Sequence, residues 1–160
     1  EQEWLDSWAK HHITGEKIPA EIIARLKESA VFIEGYACQR QLGFAMLDMA
    51  WHMVTGIPGS DIIPFEREAM NKTELFPYTE GTCVSTSFGH IFSGGYAAGY
   101  YGYKWAEVLD ADAYSLFTEK GIFNQDVSGS FRRNILEKGG SEKPCFNAGF
   151  SFLSESSFFN

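Results

Sequence analysis

"ESAVFIEGYACQRQLGFAMLDMAWHMV", residues 28–54, decides the fold class. No proline interrupts it, and Val31, Gly35, Cys38, Leu42, Met46, Met49 and Met53 recur at steps of three and four, the spacing that lines side chains along one face of an α-helix. The pattern predicts one helix from about Glu28 to Val54, roughly 40 Å long at 1.5 Å per residue. Phe32, Tyr36, Phe44, Leu47 and Trp51 lie on its other faces, so the helix is expected to pack on more than one side. Gly35 and Gly43 lower its propensity and allow a neighbouring helix to come close.

The flanking segments read the same way. "EQEWLDSWAKHH" (1–12) places Trp4, Leu5 and Trp8 together, and Pro19 stands at the start of a second helix carrying Ile22, Ile23 and Leu26. "TGIPGSDIIP" (55–64) breaks the pattern, "FEREAMNKT" (65–73) suits a short helix, and "LFPYTEGTCVSTS" (75–87) is a loop by its Pro77, Gly81, Ser and Thr. A helix is expected from about Gly95 to Lys120. Another follows, capped by Asn124, carrying Val127, Phe131 and Ile135 and stopped by Gly139 and Gly140. With no internal repeat and no internal boundary visible, the expectation is all-α, an irregular multi-helix bundle.

A chain of 160 residues can bury roughly 70% of its unfolded surface. The formal net charge of -8 repels nucleic acid and anionic lipid, so neither is an expected partner. No apolar run approaches the ~20 residues of a membrane span, and no basic-then-apolar leader is visible. The cytoplasm is the expected compartment, with the periplasm left open. Cys38, Cys83 and Cys145 are scattered and odd in number, which favours free thiols over a disulfide framework. The opening "EQEWLDSW" begins in helical register without an initiator methionine, as in a piece of something longer.

The chemistry is concentrated in "SFGHIFSGGYAAGYYGYKWAEVLDADAYSLF", residues 87–117. Turned by 100° per residue, Ala98, Tyr101, Trp105, Val108, Leu109, Ala113 and Leu116 form one apolar face, expected to pack inward. Tyr96, Tyr100, Tyr103, Glu107 and Asp110 fall opposite, toward solvent or a cleft. A phenol is a neutral donor at pH 7, so a row of them can stabilise an oxygen that becomes negative during reaction. Gly94 and Gly95 would let a substrate approach the backbone, and His90 could donate or transfer a proton. The same spacing is also what ordinary packing tyrosines show.

The other candidates read as structural. His11 and His12 are adjacent and do not chelate one metal readily. His52 stands four residues after Asp48, a pairing that orients a histidine. Glu107, Asp110 and Asp112 form a solvated face, and Arg132 and Arg133 suit surface ion pairs.

The run from Phe88 to Phe117, continued by "GIFNQDVSGSFRRNILEKGGSEKP" (121–144), resembles the C-terminal part of the thimet oligopeptidase family of zinc metallopeptidases, the M3 family. "ACQRQLGFAMLDMAWH" (37–52) shares the resemblance, and "WAKHHITGEKIPAEII" (8–23) does so more loosely. It implies that residues 1–144 are the C-terminal helical part of a larger zincin-type catalytic domain, with 145–160 an atypical Ser/Phe-rich tail. The implied activity is hydrolysis of short peptides, as an oligopeptidase or a dipeptidyl carboxypeptidase. By matching motif positions, Tyr103 would donate to the oxyanion, Tyr96 would assist and His90 would contact substrate near the scissile bond. Tyr100, Gly94 and Gly95 would line the substrate.

Two departures qualify the implied activity. No HExxH occurs here, and the family carries its zinc ligands upstream, so zinc belongs to the full-length enzyme and none is expected on this chain. The implied partner is the N-terminal remainder of the peptidase, without which the isolated chain is expected to be inactive. Past Pro144 the chain reads "CFNAGFSFLSESSFFN" where the family has an arginine-containing segment, and an altered reading frame is one explanation. Self-association through apolar surface left without its other half is also expected. A non-catalytic helical peptide-binding or interaction module stays open as the alternative.

Overall fold

The computed structural model describes residues 1–56, 59 and 61–141. Among them there is no sheet, only an isolated antiparallel bridge between Lys10 and Lys17, and the chain is helical as its periodicity requires. Where the sequence showed no boundary, the chain divides into two compact units, Glu1–Gly89 and one beginning at His90.

The first unit opens with α1 (Gln2–Trp8), whose Trp4 and Trp8 meet edge to face at 4.9 Å. α2 (Ala20–Ala30) starts directly after Pro19. The predicted long helix is broken: α2 ends at Ala30, and α3 runs from Glu34 to Met53. The break is the left-handed backbone of Ile33, φ 55°, a conformation that a β-branched residue adopts only under strain. Twenty residues make α3 about 30 Å long.

α4 (Ile63–Met70) carries Pro64 in its first turn, where a missing N–H costs nothing. Gly43 lets α3 approach the segment around α4: a β-carbon there would lie 2.7 Å from Thr73 Oγ1 and 3.2 Å from Met70 Cε. Ala45, Leu47 and Met70 are buried at this contact's level of the core, and Trp51 of α3 meets Phe65 of α4 at 4.4 Å. Residues 75–87 form turns and no strand.

The second unit holds the four-residue α5 (His90–Ser93), α6 (Gly102–Lys120) and α7 (Gln125–Phe131). α7 passes into a π-helix over Arg132–Leu136, in which Glu137 N–H donates to Arg132 O at 2.8 Å. Asn124 caps α7 as its sequence foretold, its Oδ1 accepting from the N–H groups of Asp126 and Val127 at 2.9 and 3.2 Å. Phe117 of α6 meets Phe131 of α7 edge to face at 5.9 Å. Cys145 and the tail 145–160 lie outside the described residues.

Candidate active site

The tyrosines do not share a helix. α6 begins at Gly102, so Tyr96 and Tyr100 sit in the turns before it rather than on its face. Gly94, Gly95, Gly99 and Gly102 weaken helix propensity through this stretch, and Ala98 takes a left-handed φ of 53° that no α-helix contains. The turns nevertheless gather the rings. Tyr96 stacks on Tyr103 at 5.0 Å and 28°, Tyr100 meets Tyr103 edge to face at 5.1 Å, and His90 lies 5.9 Å from Tyr96.

The exposed and packed sides are also not as expected. Tyr100 is buried, at 9% exposure, whereas Tyr101, Trp105 and Val108 are 50%, 62% and 59% exposed. Losing about two turns of helix before Gly102 removes the 100° relation that set Tyr100 opposite Tyr101, and α6 buries none of its residues.

Tyr96 and Tyr103 remain half-exposed. A hydrogen bond with Tyr96, then desolvation and the nearby phenols of Tyr96 and Tyr100, raise the Tyr103 pKa above its ordinary value of 10.0. Tyr103 therefore keeps its proton throughout the physiological range and can act only as a neutral donor or acceptor. A β-carbon on Gly94 would lie 3.4 Å from the His90 carbonyl oxygen and 3.5 Å from the Tyr96 ring, while Gly95 has nothing within 4 Å. Gly95 thus leaves open space beside the tyrosines.

Among the described residues no three His, Cys, Asp or Glu side chains are grouped so as to hold a metal ion, so these residues do not fit a zinc centre. His11 and His12 lie beyond the end of α1, rings 5.0 Å apart, with the Thr14 N–H donating to His11 Nδ1. His52 Nδ1 sits 2.9 Å from the carboxylate of the fully buried Asp48, the orienting pair that the spacing suggested.

One group in the first unit escaped the sequence entirely. Glu66 of α4 is buried and accepts from Val84 N–H at 2.8 Å, Ser85 N–H and Ser85 Oγ at 2.6 Å each, and the Cys83 thiol at 3.4 Å. Ser85 Oγ in turn accepts from Trp51 Nε1 of α3 at 2.9 Å. Burial pushes the Glu66 carboxyl up, but the Ser85 hydroxyl and N–H, the Val84 N–H and the Cys83 thiol together outweigh it and hold the group below its ordinary range. Its partners lie 17–19 residues away, so no local pattern announces it.

The model of peptidase family M3 matches residues 1–147. The chain belongs to peptidase family M3. This M3 chain is 38% identical over 139 residues to a dipeptidyl carboxypeptidase of Salmonella typhimurium, covering 86% of the chain and 20% of that protein. It is 39% identical over 145 residues to oligopeptidase A of Escherichia coli (90% and 21%). With the organellar oligopeptidase A of Arabidopsis thaliana it shares 42% over 146 residues (88% and 18%). The M3 chain therefore spans about a fifth of the length of the curated relatives it matches.

Proposed function

We propose that this chain is the donor half of a peptidase active site, the C-terminal part of an M3 enzyme that hydrolyses short peptides. The observation that carries the reading is the contact series His90, Tyr96, Tyr103 and Tyr100, in which the Tyr103 phenol stays protonated. Attack on a peptide carbonyl turns its oxygen into an oxyanion, and a phenol already placed to donate stabilises that oxygen without reorganising water. Tyr103 gives this hydrogen bond and Tyr96 assists. His90 touches the substrate beside the scissile bond, Tyr100 backs the Tyr103 ring, and Gly94 and Gly95 leave room for the peptide backbone.

In this reading zinc belongs to the N-terminal remainder of the protein, where the family resemblance places the HExxH ligands. The isolated chain is accordingly inactive, and its exposed Trp105 and Val108 favour self-association. The cytoplasm is the proposed compartment, which fractionation of producing cells tests.

The deciding experiment mixes the chain with separately produced N-terminal remainder and follows cleavage of short peptides by mass spectrometry. Tyr103→Phe should lower kcat by about a hundredfold to a thousandfold with little change in KM. An unchanged kcat would remove Tyr103 from the chemistry, and the products separate internal cleavage from release of C-terminal dipeptides.

A further inference from the structure

The first unit contains a cavity of about 220 Å³, roughly seven water volumes, lined in part by the irregular segment 74–79. Part of its wall is aromatic. Tyr36 and Phe76 meet edge to face at 5.4 Å, and Tyr78 is held from behind by the Arg67 guanidinium, 4.8 Å from its ring centroid. Two opposite charges line the same space, Arg40 and Glu74. Neither has an ion-pair partner among the described residues, although the Arg40 guanidinium is steadied 5.0 Å from the Phe44 ring centroid. The third charge, Glu66, has its carboxylate taken up by Val84, Ser85 and Cys83.

We propose that this cavity binds the zwitterionic backbone of a small apolar peptide or amino acid, its carboxylate on Arg40, its ammonium on Glu74 and its side chain against the paired rings of Tyr36 and Phe76. Size and chemistry both point there. The volume is too small for a long peptide and suits a single large side chain with its backbone. An aromatic wall beside a cation and an anion, neither ion-paired among the described residues, matches a ligand that is apolar at one end and doubly charged at the other. Arginine is the residue suited to a carboxylate, through paired hydrogen bonds. The site stands whether or not the tyrosine cluster is catalytic.

The test titrates the ¹⁵N-labelled 160-residue chain with three probes: free phenylalanine, the dipeptide Leu-Phe, and N-acetyl-Leu-Phe amide, which lacks both charges. Saturable shifts at Gly43, Thr73 and Phe76 are expected with an affinity on the order of 1 mM for one or both zwitterions. The capped peptide should bind about tenfold more weakly or worse, and Arg40→Gln and Glu74→Gln should each cost about tenfold against the zwitterion. Both replaced side chains are exposed, so the variants keep the fold, and the capped probe needs no variant. The relative strength of the amino acid and the dipeptide identifies which is the natural size. Equal binding of capped and free peptides, or no saturation by roughly 20 mM, overturns the proposal.

Discussion

α3 and α6 are nearly equal in length, twenty and nineteen residues, yet they are used differently. α3 buries Gly43, Ala45, Leu47 and Asp48, whereas α6 buries nothing. Both carry enough apolar residues for a packed face. The difference lies in what stands opposite: α3 has α4 within β-carbon reach of Gly43 and the 83–85 turn tied to Glu66. Burial is thus a property of the partner as much as of the helix, since most helical stability in proteins comes from packing rather than propensity.

The contrast is sharpest at Leu47, which is fully buried. Leu47→Ala should cost about 3 kcal/mol in urea unfolding, and a loss below about 1 kcal/mol would place α3 outside the core. Glu66→Ala comes next. It strands the Val84 and Ser85 donors, and about 2 kcal/mol should be lost. Because the folded carboxyl is held below its ordinary 4.5, its contribution is present above about pH 4.5 and is lost as the pH falls through the lower folded value. Glu66→Gln should flatten that part of the stability profile; an unchanged acid slope would separate the clasp from acid stability.

Smaller effects belong to the second unit. Ala98→Gly relieves a left-handed φ and should raise stability by about 0.5–1 kcal/mol, measured by the same unfolding curves. Trp105→Ala, on a residue 62% exposed, should change stability by no more than about 0.5 kcal/mol. A larger loss would mean that α6 is packed in this chain after all, and the comparison with α3 would fail.

Helix type was legible wherever a short-range rule governed. Pro19 and Asn124 stand where the rules for helix starts put them, whereas Pro64, expected in the break before the helix, lies inside the first turn of α4. The break at Ile33 was not legible, because Val31, Phe32 and Ile33 extend the apolar period without glycine or proline, and only the backbone shows the turn. In the candidate site the rings meet, but not in the way the spacing implies. His90, Tyr96, Tyr100 and Tyr103 meet through turns, not through a helical face, and the glycines that were credited with access also stop the helix. Glu66 and the aromatic cavity depend on residues far apart in the chain, which periodicity cannot join.

The π-helix at Arg132–Leu136 has a consequence for register. Its Glu137 N–H reaches back five residues instead of four, so the segment holds one residue more than an α-helical turn would. Such a surplus acts as a frameshift of helix faces: the described residues that follow, 137–141, are displaced by about 100° from where an unbroken α7 would place them. Deleting one residue between 132 and 136 would restore an ordinary helix and turn the following residues to another side. A conventional helix would therefore be a disruptive change here.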